Sequence, residues 1–478
     1  MTNRRSFLKI GAGASIASLS GFSSFAASSN RSTLNGFKEP ARMLTFEADS
    51  DVIVCGAGPA GVSAAIAAAR AGSKVRLFEA HGALGGVWTN SLLGYLIDFD
   101  KPGFNQELVR KLSVRDAISG EKRWQPGKAF TGPIQGLAYH PEEMKLLLEE
   151  LCLEAGVKVQ YHTRVTAAYK QGRKLNTIVT ESKSGRQAWR APVFVDTTGD
   201  GDLGALAGCE FEIGIEKECP CQPLSLNCLI LVKDVTQLRN MVHGGMSTST
   251  QYINEGTEDF MKEIRRAGVE PSYGRPMFFP VRGNLISGML NHEYGVLATD
   301  AAAISEATIR ARAEMNKIVK GLRNLGGIWE GIQIVASPEQ IGIRDGRRIK
   351  GRYTVSKDDL ISGVKYEDAV VKSHAPVDVH SLKRDDRDKG NQDYNIQVQP
   401  YDIPLRALVA KDVDGLLMAG RCISGDFIAH SSYRVTGNAV PMGEAAGCLA
   451  AVAAQTNRHP HEIPFSEVKT VIEKVREV

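Results

Sequence analysis

Val52-Ile53-Val54-Cys55-Gly56-Ala57-Gly58-Pro59-Ala60-Gly61 joins an apolar strand to a helix through a glycine-rich turn, and its reading decides the fold. Gly56 permits the tight turn, Gly58 lets the backbone approach a pyrophosphate, and Gly61 lets the helix pack against the strand. A helix opening at Pro59 aims its unpaired N–H groups and positive dipole end at that anion, with Ala60 in its first turn. Ala64 to Ala71 continue the helix, Lys74 to Phe78 read as a second strand, and Glu79 ends it. An acid about twenty residues beyond the glycines is placed to bind ribose hydroxyls, so the site holds an adenine dinucleotide.

The residues that follow identify which one. Leu84-Gly85-Gly86-Val87-Trp88-Thr89 resembles the second glycine pair of FAD enzymes with a glutathione-reductase-like nucleotide fold. Val193 to Asp202, containing Thr198-Gly199-Asp200, is similar to the segment of that family in which Thr-Gly precedes acidic residues. Asp414 to Asp426, through Gly420, is similar to the strand that returns to the flavin. Ile341 to Gly351 and Tyr433-Arg434-Val435 add to the match, and the chain thus resembles a bacterial family of FAD-dependent oxidoreductases over most of residues 50–455.

The resemblance implies an α/β glutathione-reductase-like FAD-binding three-layer fold with an inserted, mainly β substrate or cap domain. It implies FAD contacts by Gly56, Gly58, Pro59, Ala60, Gly61, Glu79, Gly85, Gly86, Trp88, Val165, Thr198, Gly199, Asp200, Gly420, Asp426 and Asn438. The implied division is 50–208 and 377–478 for the FAD-binding parts and 209–376 for the insertion. Strands are expected within Leu224–Val232, Pro276–Val281 and Asn284–Leu290, and helices near Glu258–Ala267 and Ala301–Leu325. A small-residue helix is expected over Pro441–Ala454, its head towards the flavin.

At 478 residues, 43% hydrophobic and 23% charged, the chain has material for a large core. Asn3-Arg4-Arg5-Ser6-Phe7-Leu8-Lys9, the apolar run to Phe25 and Ser24-Phe25-Ala26 read as a twin-arginine signal peptide over 1–26, followed by a linker over 27–49. This predicts export to the periplasm without a stable membrane anchor. Loss of Arg4, Arg5 and Lys9 leaves the mature chain near neutral, which gives no electrostatic case for a nucleic-acid partner. Eight scattered cysteines form neither a dithiol-reductase nor a haem motif, and no metal site is expected. Cys219-Pro220-Cys221 reads as a structural loop in preference to a metal half-site or redox pair.

A second Gly-x-Gly-x-x-Gly is missing, so electrons are expected to pass to a quinone, a redox protein or oxygen rather than a nicotinamide. His430 and Arg434, between the returning strand and the last small-residue helix, are the catalytic candidates: His430 as the base beside the flavin, Arg434 as the holder of a carboxylate or of the reduced flavin. Arg344, Arg347 and Arg348 either recognise an anionic substrate or form a salt-bridge ladder, and in a regular strand Arg347 and Arg348 cannot both face one pocket. His374 and His380 flank the loop returning from the insertion and are candidates for the cleft wall. The reaction read from this is dehydrogenation of a small hydroxylated or amine-bearing substrate. The alternatives are reduction of an activated double bond, as in fumarate-reductase-like flavoproteins, or electron relay without turnover.

Overall fold

Val52, Ile53, Val54 and Cys55 are almost wholly hidden from solvent, as both faces of a parallel sheet require. The computed structural model describes residues 36–37, 39–119, 136–215, 221–243, 250–389 and 394–477. The proposed signal peptide and Cys219 lie outside them. Leu44–Val478 folds as one unit. In the segment before it, Arg42 and Glu39 form an exposed ion pair.

The first half of the chain supplies β1 (Val52–Cys55), α1 (Pro59–Arg70), β2 (Val75–Phe78), α2 (Pro141–Glu154), β3 (Lys158–Gln160) and β4 (Val193–Asp196). Next come β5 (Asn227–Leu231), α3 (Thr250–Arg266), β6 (Met277–Arg282), β7 (Leu285–Met289), α4 (Ala301–Leu325) and β8 (Gln333–Ala336). The chain returns through β9 (Leu416–Met418), α5 (Phe427–Tyr433) and α6 (Thr436–Thr456). A parallel sheet in the order β9-β4-β1-β2-β3 holds the first and last thirds together. A three-stranded antiparallel sheet, residues 164–190, follows β3, its first turn falling between Gln171 and Lys174.

Two close approaches set the geometry of the glycine turn. Gly56 has φ of +94°, and a Cβ there would lie 2.5 Å from the Thr197 carbonyl oxygen. A Cβ on Gly61 would lie 1.8 Å from the Gly56 oxygen, so only glycine lets α1 start this near β1.

Helix α6 starts at Thr436, five residues before the position Pro441 suggests, and carries that proline inside it. Proline removes the amide that would bond the Gly437 carbonyl. Asn105 Nδ2 donates to that oxygen instead, at 2.9 Å, and the helix continues.

Buried apolar residues between Leu224 and Ile343 build a second core, separate from that around the parallel sheet. Its antiparallel sheet runs β6-β7-β5-β8. Alternation divides the faces: Cys228, Ile230, Phe278 and Ile286 enter this core beneath α3 and α4, whereas Asn227, Met277, Phe279 and Met289 face the opposite side and line a cavity. Arg384–Lys389 forms a short 3-10 helix. Cys221 is buried and disulfide-bonded.

Candidate active site

A cavity of about 660 Å³ runs from the glycine turn to the face of β5, β6 and β7. Of the residues proposed to bind FAD, it brings together Gly56, Gly58, Pro59, Ala60, Glu79, Gly86, Val165, Thr198, Gly199, Asp200 and Gly420. Helix α1 has no side-chain cap and no acid in its first turn, leaving its positive end uncompensated. The head of α6 is equally bare, and Val435, Thr436 and Ala439 line the same cavity. Glu79 accepts from the Ala57 amide at 2.8 Å and the His81 amide at 2.9 Å, which fixes its carboxylate at the end of β2. Two open helix heads and a held carboxylate suit the pyrophosphate and ribose of FAD.

Other residues expected at the cofactor lie off this cavity's wall. Gly61 and Gly85 support the turn from behind the wall, and Trp88 is fully buried in the apolar core. Asp426 caps α5, accepting from the Ala429 amide at 2.7 Å and the Lys357 amide at 2.6 Å, outside this cavity. Asn438 is buried against Ser373, to which it donates at 2.9 Å.

His430, expected beside the flavin, is 0% exposed and absent from the cavity wall. Among the described residues neither ring nitrogen has a hydrogen-bond partner, and its ring packs edge-on against Tyr433. The reason is helical geometry: His430 lies one turn inside α5, whereas Arg434, at its C-terminal cap, emerges into the cavity.

Of the three clustered arginines only Arg344 lines the cavity. Arg347 donates to Asp202 at 2.9 Å and to the Asp200 backbone at 3.0 Å, and buried Arg348 bonds Asp345 and the Gly214 and Gly425 carbonyls. His374 is exposed, away from the wall.

His380 does line the cavity, in a group whose other members lack any shared spacing in sequence. Its Nε2 lies 3.5 Å from Asp378 Oδ2, the carboxylate that Arg434 Nη2 reaches at 3.0 Å. Gln222 ties the two sides, its Oε1 accepting from the His380 amide and from Arg434 Nη2, each at 3.2 Å. Burial, aided by the Arg344 charge, pushes the His380 imidazole down to about 4, so it is neutral at neutral pH. Burial opposes ionisation of Asp378, yet His380 and the two guanidiniums outweigh it and hold its carboxyl far below the usual range. Among the described residues, buried His380 Nδ1 has no hydrogen-bond partner. With Nε2–H turned to the carboxylate, Nδ1 is a proton acceptor.

The model of a family described as FAD dependent oxidoreductase matches residues 51–472. The chain belongs to the FAD-dependent oxidoreductase family. It is an enzyme of that kind with FAD as its cofactor, on an α/β fold with a parallel sheet. No curated protein matches this oxidoreductase in sequence. Among solved structures it is similar to a geranylgeranyl bacteriochlorophyll reductase-like protein from Thermoplasma acidophilum, at 15% identity and a TM-score of 0.44, covering 90% of this chain and 83% of that one. It is similar also to a flavin-dependent brominase, at 13% identity and a TM-score of 0.45 over 90% and 84% of the two chains. A myxobacterial chondrochloren halogenase gives 12%, 0.45, 90% and 79%.

Proposed function

We propose that this FAD-dependent oxidoreductase dehydrogenates a small hydroxylated or amine-bearing substrate, with His380 as the base and a non-nicotinamide electron acceptor. One observation carries it: the cavity that starts at the glycine turn is also lined by His380, a neutral imidazole whose Nδ1 has no hydrogen-bond partner among the described residues and whose Nε2 lies 3.5 Å from the Asp378 carboxylate.

FAD supplies the hydride acceptor. His380 Nδ1 takes the substrate's hydroxyl or amine proton as the hydride leaves the adjacent carbon, and Asp378 stabilises the imidazolium that forms. Arg434 holds Asp378 in place through two contacts to that residue, at 2.7 Å to its carbonyl and 3.0 Å to its carboxylate. Tyr273, Met277 and Phe279 supply an aromatic and apolar stretch of the cavity wall beside this group.

We further read the fold as glutathione-reductase-like with residues 209–376 as its cap, and the protein as exported by the twin-arginine route. Among the described residues no helix is long and apolar enough to cross a membrane. The test is an anaerobic screen of alcohols, hydroxy acids and amines, followed by bleaching of the flavin's visible absorbance. Bleaching is expected with one of these classes and is expected to slow about 100-fold in His380→Gln. A flavin that stays oxidised across the whole panel contradicts the proposal.

A further inference from the structure

The cavity face of the antiparallel sheet is graded along its strands. Phe279, stacked on Tyr95 at 5.1 Å, marks one end. Two residues along, Met277 pairs with Met289, and Met289 pairs with Asn227 across the sheet. Two further residues along, Ser225 bridges to Gly342 and its hydroxyl accepts from Arg344 Nη1 at 2.8 Å. At strand spacing the aromatic row and the arginine row are about 13 Å apart. An apolar floor therefore ends at a guanidinium.

Arg344 has one edge committed and one open. Nη1 donates to the Pro223 carbonyl at 2.7 Å as well as to Ser225, which fixes the plane of the group. Among the described residues, Nε and Nη2 make no hydrogen bond to protein, and Arg344 forms no ion pair. Burial and the neighbouring Arg434 push its pKa down to about 10, which still leaves it a cation at neutral pH. Asp378 is the carboxylate between the two arginines, and Arg434 already claims it. Among the described residues Arg344 is left without an ion-pair partner at the cavity wall, and a buried charge needs one.

We infer that the substrate is a carboxylate with an apolar body, its two oxygens held side-on by Arg344 Nε and Nη2 and its body resting along Met277 and Met289. A guanidinium edge presents two parallel N–H groups whose spacing matches the two oxygens of a carboxylate, which a lysine ammonium cannot reproduce. Arg434, still with a buried, unpartnered Nε, adds a second positive charge nearby. This inference rests on the dehydrogenase reading for the word substrate, but its recognition step needs no turnover.

The test titrates the oxidised, FAD-loaded protein with benzoate, benzamide and inorganic phosphate, followed by calorimetry and by perturbation of the flavin spectrum. Benzoate is expected to bind, with its neutral isostere benzamide and phosphate each about 100-fold weaker. Arg344→Met is expected to lose about 100-fold in benzoate affinity, and Arg344→Lys to recover only part of it. Retained flavin in both variants shows that the fold persists, and Arg344→Lys replaces Arg344→Met as the decisive comparison if the latter loses flavin. Equal binding of benzamide, tighter binding of phosphate, no binding of benzoate, or a variant affinity equal to wild type overturns the inference. If benzoate binds as expected while no carboxylate bleaches the flavin, the dehydrogenase reading alone falls.

Discussion

Arg434 and Asp378 form an ion pair inside the cavity, with Nη2 donating to Oδ2 at 3.0 Å and only 9% of the arginine side chain exposed. The pair joins the cap of α5 to the loop that carries His380. Breaking it from the acid side leaves the buried Arg434 guanidinium without its counterion, with Arg344 close by.

Asp378→Asn is therefore expected to lower kcat by at least about 100-fold while flavin content is retained, since the imidazolium formed at His380 loses its stabilising charge. Asp378→Glu should recover part of the loss. Steady-state rates for the substrate found by screening check this, and an unchanged kcat in the asparagine variant counts against His380 as the base.

His430 makes an acid-stability prediction of a definite sign. Burial, with Arg348 nearby, holds its pKa well below the ordinary 6.5. The unfolded chain then binds a proton that the native chain refuses, so its contribution to stability is present above about 6.5 and is lost as pH falls below that value. His430→Leu removes the group and both unpartnered nitrogens. Its stability relative to wild type should rise as pH is taken from about 7.5 to about 5, measured by urea denaturation, with flavin reduction rates near wild type. A difference independent of pH would show that His430 titrates normally.

The contact between α1 and α6 depends on two glycines. A Cβ on Gly443 would lie 2.1 Å from the Ala60 carbonyl oxygen, and one on Gly447 would lie 2.2 Å from that of Ala64. Either glycine changed to alanine forces the helices apart, at a cost of about 1–3 kcal/mol by the usual scale of overpacking. Gly443→Ala should also weaken FAD, because Ala60 belongs to the first turn of α1. Denaturation midpoints together with FAD titration separate the two effects, and wild-type values in both would refute the close approach.

Glu79→Ala removes the acceptor of two backbone amides and the carboxylate at the ribose end. FAD affinity is expected to fall about 10- to 100-fold, on the scale of hydrogen bonds to a charged group. Fluorescence titration of apoprotein with FAD measures it, and unchanged affinity would remove Glu79 from the site.

Local chemistry made the FAD end legible. The Val52–Gly61 turn and Glu79 carry their conformation within a few residues, so spacing pointed to them, whereas the Thr198–Asp200 segment was read from the family resemblance. The opposite end was less legible: Arg344 and His380 were candidates, but Tyr95, Asn227, Phe279 and Asp378 come from four distant segments, and only the antiparallel sheet and the returning loop bring them to one cavity. His430 misled for a related reason, since nearness in sequence to Arg434 says nothing of which residue emerges from α5. The early start of α6 was hidden as well, because the donor that replaces the missing proline amide is Asn105, far away in the chain.

A crystal structure of the FAD-loaded protein is the most direct measurement. The expected result is a pyrophosphate at the head of α1 and an isoalloxazine whose open face looks onto His380, Arg344 and Arg434, with His430 sealed behind α5. An isoalloxazine seated elsewhere, with His380 walled off from it, would contradict the assignment of this cavity as the active site.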